Sequence, residues 1–368
     1  MNQIVFILGR HPKISIAELT AVFPQSKIIT STDTFVVFEN LDLSAINLAR
    51  LGGTVKFGEV FSVESDFASQ KVYEYLAERL ASGAGKQIFG ISSFGARFGT
   101  LKTLLIGAKK FLRAQKISTR FINKNFQNLS SAQTEFEIIK RNGNEILVAF
   151  DGLRWFFAET KAVQPFASYQ FRDYKKPARD ARVGMLPPKL AQILINLAAA
   201  GDLSKIIYDP FCGTGTVLVE AALMGHEVVG SDIDARICDF ARKNLNAFNI
   251  SANIFTHDAV RKASCKFDVV VTEGTLGPPR REIPSLAARR RIFAEIAEIY
   301  EKFFSWVFIH KVVITLPVYL EEGVPKFFAS DIILPRIKQL GWRTCGSQKL
   351  LYFRPNQIVG REIVIFEK

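Results

Sequence analysis

Asp209-Pro210-Phe211-Cys212-Gly213-Thr214-Gly215-Thr216 follows a short apolar run, Ile206-Ile207-Tyr208, and opens a second apolar segment, Val217 to Leu223. An apolar strand that ends in an acid and turns through two glycines into a helix has the shape of a nucleotide-type cofactor loop. Glycines let the backbone pass close under a ligand, and the free N–H groups at the helix start face it. Asp209, Phe211, Gly213 and Gly215 are therefore candidate cofactor-binding residues.

Outward from this loop, the carboxy-terminal half alternates strand and helix. Lys205–Asp209 reads as a first strand and Thr214–Met224 as a helix. Glu227–Ser231, Asn253–Thr256, Phe267–Thr272 and Val312–Leu316 follow as strands, with helices at Ala235–Phe248 and Leu286–Phe304. Such alternation predicts a parallel sheet with helices on both faces. Lys349–Phe353 and Glu362–Phe366 flank a Pro-Asn-Gln turn region with no room for a crossover helix, so the sheet is expected to end in an antiparallel hairpin. The amino-terminal half has shorter units. Val5–Leu8, Phe35–Phe38 and Thr54–Phe61 are strand-like around helix candidates at Ser15–Phe23 and Leu43–Leu51. A second block holds helices near 66–81 and 100–115 and strands at 88–92, 118–121 and 146–150. Between Lys161 and Arg182 lies a polar, basic connector containing Arg172, Lys175, Lys176, Arg179 and Arg182, which marks the main boundary.

A nicotinamide loop would read G-x-G-x-x-G, whereas Leu218 stands where the third glycine belongs. The next acid, Asp232, comes 17 residues after Gly215 at the end of the second strand, with Ile233 beside it. A carboxylate there can accept two hydrogen bonds from a ribose diol. Asp258, ending the third strand, could reach an adenine amine with backbone help from Ala259; a capping role fits its spacing equally. Met185 and the helix from Pro188 are candidates to cover the far side of the ligand.

Bulk properties restrict the class. A net charge of +13 over 368 residues favours a polyanionic partner, because each neutralised phosphate releases counterions. The 48% hydrophobic content argues against disorder. No segment approaches the ~20 apolar residues needed to span a bilayer. The amino terminus, Met1 to Phe6, reads as a strand and not as a signal peptide. The four cysteines, 212, 238, 265 and 345, form no CxxC pair, so a reduced, cytoplasmic enzyme without a metal site is expected.

The Asp209–Thr216 loop resembles that of S-adenosylmethionine-dependent methyltransferases, in particular the branch that modifies RNA and DNA amines. In those families a strand ends in Asp-Pro-Pro-aromatic: the acid and a carbonyl hold the target amine and the aromatic stacks on the base. Here the equivalent strand runs into Glu273-Gly274-Thr275-Leu276, which puts Glu273 in the acid's place, Gly274-Thr275 for the prolines and Leu276 for the aromatic. Further along, the chain is similar to the THUMP-containing tRNA guanosine N2-methyltransferases of the position-10 type or a bacterial relative. The resemblance rests on Arg50 to Lys56, Ser118 to Phe121, Leu129 to Ala132, Arg172 to Pro177, Gly184 to Ala191, Asn196 to Ala198, and Arg354 to Glu362.

That resemblance implies a Rossmann-like α/β methyltransferase domain, seven-stranded with an antiparallel last hairpin, at 184–368. It implies a ferredoxin-like unit at 1–64, an RNA-binding THUMP unit at 65–160 and the connector at 161–183. It also implies S-adenosyl-L-methionine as cofactor, tRNA as partner, Glu273 as the catalytic amine acceptor, and a cytoplasmic monomer. Lys109, Lys110, Arg113, Lys116, Arg120 and Lys124, with Arg280, Arg281, Arg289, Arg290 and Arg291, are candidate phosphate contacts. Two alternatives stay open: adenine N6 or cytosine N4 as the target, or a tRNA-binding protein that keeps the cofactor fold without turnover.

Overall fold

The computed structural model describes residues 2–83, 85–95, 100–174, 177–178, 186–280 and 282–368. Lys175, Lys176, Arg179, Arg182, Gly184, Met185 and Arg281 lie outside them. The chain divides into two compact units, residues 1–16 with 23–168, and residues 17–22 with 169–368.

The first unit is built on one sheet. Its strands are β1 (Gln3–Leu8), β2 (Lys27–Ser31), β3 (Phe35–Glu39), β4 (Thr54–Glu64), β5 (Gln87–Phe94), β6 (Thr119–Phe121), β7 (Asn144–Phe150) and β8 (Trp155–Val163). They lie in the order β2-β3-β1-β4-β8-β7-β5-β6. The expected division at residue 64 falls at the end of β4, which pairs with β1 on one side and β8 on the other. Residues 1–64 and 65–160 thus share a sheet. Helices Ser69–Leu80 and Thr100–Ala114 cover the second block, with Val72, Leu76, Leu104, Leu105 and Leu112 at helical spacing against Phe89, Ile91, Val148 and Phe157.

Three local readings change. β8 takes up residues expected in part as connector: Phe156 to Thr160 are all buried, so the polar alternation that flags a half-exposed strand is missing. Phe166–Tyr174 is a helix. The Leu43–Leu51 helix is instead two single turns, Leu43–Ala45 and Leu48–Arg50. Asp42 accepts from the Ser44 N–H and Asn47 from the Ala49 N–H, and each such side chain restarts the backbone.

The second unit contains β9 (Ile207–Asp209), β10 (Val228–Asp232), β11 (Asn253–Thr256), β12 (Val269–Thr272), β13 (Lys311–Glu321), β14 (Val324–Phe328), β15 (Arg343–Thr344), β16 (Leu350–Tyr352) and β17 (Val359–Glu367). The order is β11-β10-β9-β12-β13-β17-β15, with β14 on β13 and β16 on β17. β9 to β13 run parallel, and β17 returns antiparallel to β13 and to β16. Helices Thr216–Met224, Ala235–Asn246 and Leu286–Trp306 occupy the crossovers. On the last of these, Ile292, Phe293, Ile296, Ala297, Tyr300, Phe303 and Phe304 form the buried stripe. Strand order reverses between β9 and β12, and ligands of open α/β sheets bind at such a switch point, beyond the carboxyl ends.

β13 outruns its expected end at Leu316, because Pro317 interrupts the pattern there. Its carbonyl accepts from the Ala329 N–H at 3.1 Å, so its missing N–H also faces away from β17 and the β13–β17 ladder stays intact.

A buried ion pair organises the first unit. Lys56 on β4 places Nζ 2.7 Å from Oε1 of Glu145 on β7, 2.8 Å from Thr134 Oγ1 and 3.3 Å from the Leu129 carbonyl. All three ammonium protons thereby have acceptors. Glu145 in turn accepts from Ser92, Thr134 and Thr160. Both charged side chains are fully enclosed. Glu145→Ala would leave the ammonium buried without a counter-charge, at a cost of about 3–5 kcal/mol. The expected result is an early urea transition of this unit, read by hydrogen exchange at the β7 and β8 amides.

Candidate functional site

The acids expected at strand ends do converge on one edge of the second unit's sheet. Asp209 ends β9, Asp232 ends β10, Asp258 lies two residues past β11 and Glu273 immediately follows β12. After Asp209 the chain turns through Gly213 (φ 52°) and Gly215 (φ 82°) into the helix at Thr216. A Cβ on Gly215 would stand 3.0 Å from Leu245 Cδ1 and 3.2 Å from Ala241 Cβ, so this glycine allows close packing on the helix Ala235–Asn246. Gly213 faces open space, where a Cβ would meet only the Phe211 carbonyl at 4.0 Å. The loop is pinned from behind by Asn244, whose Nδ2 donates to the Thr214 carbonyl at 2.8 Å.

Asp232 closes the loop. Its Oδ2 accepts from the Gly213 N–H and its Oδ1 from the Asp234 N–H, each at 3.0 Å. Each oxygen keeps a lone pair for a further donor. Ile233 beside it is 69% exposed, an apolar surface next to a polar anchor. Asp258 accepts from the Val260 N–H at 3.2 Å, which is a turn-capping contact. The Ala259 carbonyl is taken by Trp306 Nε1 at 2.9 Å. The Phe211 ring packs edge-on against Tyr300 and Phe303, and its N–H donates to Asp209.

Around Glu273 the structure adds partners that sequence reasoning missed. Arg361 on β17 donates from Nε to Glu273 Oε1 at 2.6 Å, and its Nη2 lies 2.6 Å from the same oxygen. Thr315 on β13 donates its hydroxyl to the Glu273 carbonyl at 2.8 Å. Tyr300 clamps the following loop, accepting from the Thr275 N–H at 2.8 Å and donating to the Thr275 carbonyl at 3.3 Å. Gly274 has φ 67°, and a Cβ there would run into the Tyr300 hydroxyl. Proline, fixed near −65°, cannot occupy that backbone. Gly-Thr is thus a differently shaped loop and not a loosened Pro-Pro. The one sequence signal for Arg361 was a charged pair, Arg361-Glu362, inside an otherwise apolar strand.

Lys109, Lys110, Arg113, Lys116, Arg120 and Lys124 are all exposed, and Arg120 pairs with Glu137. Arg280 and Arg290 are exposed too, whereas Arg289 lies over the Phe327 ring at 3.5 Å and Arg291 pairs with Glu295. Among the described residues there is no cluster of potential metal ligands, and no helix is long and apolar enough to cross a membrane.

Strand order, an antiparallel last strand and acids along the carboxyl edge define a Rossmann-like methyltransferase fold. Residues 172–279, less than a third of the chain, match the UPF0020 family, described as an RMKL-like methyltransferase domain. The tRNA (guanine(10)-N2)-dimethyltransferase of Methanothermobacter thermautotrophicus is 41% identical over 112 residues, covering 29% of this chain and 32% of that protein. The protein of the same name from Methanocaldococcus jannaschii is 43% identical over 67 residues, 18% of this chain and 19% of its own. The chain thus aligns with about a third or less of these curated relatives. TrmN from Thermus thermophilus shares the fold over 100% of both chains, with a TM-score of 0.54 at 15% identity.

Asp209 is a strongly perturbed carboxylate. Burial raises its pKa to about 7, against hydrogen bonds from Thr272 and the Phe211 N–H, with the charges of Asp232 and Glu273 adding to the rise. The folded protein therefore holds a proton that the unfolded chain releases near pH 4, and this contribution to stability is lost as pH climbs from there through about 7. Asp209→Asn keeps the shape without the titration. It should unfold on the order of 3 °C higher than the parent at pH 8, the gap closing toward pH 5 in calorimetric scans.

Proposed function

We propose that the chain is a tRNA methyltransferase that uses S-adenosyl-L-methionine and acts on the exocyclic N2 amine of a guanosine. The observation that carries this reading is Glu273 at the end of β12, one strand away from the Gly213–Gly215 loop, with a carboxylate oxygen left over after Arg361 is satisfied. The residues suit the cofactor: Gly213 leaves room above the loop, Asp232 has lone pairs for a ribose diol, and exposed Ile233 offers an apolar face for adenine. Asp209 braces the loop from below through Phe211, while Asp258 and Ala259 border the adenine side. Once bound, the cofactor supplies an already activated methyl group, so alignment of the amine provides most of the rate. Glu273 accepts a hydrogen bond from the amine and takes the proton it sheds.

Tyr352 answers for the absent stacking aromatic in this reading. It is the direct partner of Arg361 in the β16–β17 ladder, and such partners share a face of the sheet. The exposed lysines and arginines of residues 65–160 make that segment the RNA-gripping, THUMP-like part, with residues 1–64 beside it, the basic segment 161–183 along the backbone, and methyl transfer at 184–368. The protein would work as a cytoplasmic monomer on tRNA. A second reading, a tRNA-binding protein without turnover, draws on the Gly274-Thr275-Leu276 loop.

Incubation with bulk tRNA and methyl-labelled cofactor, then nucleoside analysis, tests both. Label in N2-methylated guanosine is expected. Label in adenosine or cytidine would redirect the target, and tRNA and cofactor binding without label would favour the second reading. Glu273→Ala should lower transfer by about 100-fold or more while cofactor affinity holds.

A further inference from the structure

Resting on the reading of Glu273 as the amine acceptor, we infer that Arg361 is its positioning residue: it occupies one carboxylate oxygen and turns the other oxygen to the substrate amine. The geometry is unequal in a useful way. Both Arg361 nitrogens address Oε1 at 2.6 Å, and Oε2 accepts no hydrogen bond from any described residue. A fork gripping both oxygens would have taken a lone pair from each; this one engages Oε1 and leaves Oε2 with its full acceptor capacity. The main chain is held separately, by Thr315 at the Glu273 carbonyl and by Tyr300 at Thr275, so the side chain is the part that, among the described residues, Arg361 restrains.

Charge makes the same residue necessary. The groups that face Glu273 are Asp209 from β9, the Tyr300 phenol from helix Leu286–Trp306, and Arg361 from β17. Arg361 is the one cation among the described residues that face it. Burial pushes the Glu273 pKa up, and the Arg361 guanidinium pulls against it. Without that cation, a carboxyl in the same enclosure beside Asp209 would hold its proton to higher pH and could no longer take the proton that the amine sheds. The arginine is itself secured: its side chain is 7% exposed, and β17 is laddered to β13 from Lys311↔Glu367 to Tyr319↔Val359.

The experiment is the pH dependence of methyl transfer to tRNA, from pH 5.5 to 9.5, with kcat, KM for tRNA and cofactor affinity measured for the parent, Arg361→Met and Arg361→Lys. Arg361→Met should lose about 100-fold in kcat at pH 7 and regain much of it by pH 9, because its acid limb moves up by about two units or more. Cofactor affinity should hold, which also reports that the variant is folded. Arg361→Lys keeps the charge but not the fork; its acid limb should stay near the parent's, with kcat reduced about tenfold at every pH. An Arg361→Met limb that coincides with the parent's, or an effect confined to KM for tRNA, would overturn the inference and make Arg361 a phosphate contact. If the methionine variant does not fold, a lysine variant with parental kcat throughout overturns it equally. A parent protein that transfers nothing to tRNA would instead remove the functional reading on which the inference stands.

Discussion

Crowded carboxylates on the edge of one parallel sheet set the terms for this structure. Asp209, Asp232 and Glu273 end or follow three neighbouring strands, β9, β10 and β12, and charges of one sign so placed resist being buried together. Each is relieved by a different means. Asp232 takes two backbone N–H groups, which requires the Gly213 turn and the start of the next helix to lie against it. Glu273 takes a guanidinium, which requires an antiparallel strand to deliver Arg361 to that edge. Asp209 retains its proton up to about pH 7. Loop shape, helix placement and the sense of the last strand are all conditions for keeping the edge acidic.

The loop after Glu273 obeys a separate constraint. Proline pairs in comparable positions make a loop rigid through covalent rings. Here rigidity comes from Tyr300, a fully buried side chain whose hydroxyl both donates to and accepts from Thr275, with Gly274 leaving the space for it. Gly-Thr is therefore compatible with an ordered loop after Glu273. Leu276, by contrast, supplies no ring, and the sheet offers Tyr352 on the face that Arg361 shares.

Much of the catalytic-type unit was legible because its signals are local. Val269-Val270-Val271 is a β-branched run, Asp209 to Thr216 carries its own turn chemistry, and the tight spacing of the last two strands forces them antiparallel. Long-range partners left little trace. Nothing near Glu273 in the chain announces Arg361, and nothing near Gly274 announces Tyr300, because sheet order brings them together. The first unit was harder. β8 is enclosed on both faces, so Phe156 to Thr160 show no alternation, and Glu159 within it depends on Lys161 and Arg79 for its charge balance. The Leu43–Leu51 segment carried helix-like composition, but Asp42 and Asn47 drew the backbone into separate turns. Phe211, Asp258 and Ala259 lie just beyond the ends of β9 and β11, and their hydrogen-bonding and packing partners emerged only with the fold.

The 88-residue separation between Glu273 and Arg361 has a bearing on synthesis. A chain emerging from its amino end completes β9, β10 and β12, and with them the loop from Asp209 to Thr216, well before β17 exists. During that interval Glu273 is an acid without its cation, free to stay hydrated on an unfinished edge. The last strand then has to insert between β13 and the segments of β15 and β16 already made. Completion of the Asp209–Thr216 loop and charge compensation of Glu273 are thus separated in time along the growing chain, and the later event waits on one arginine.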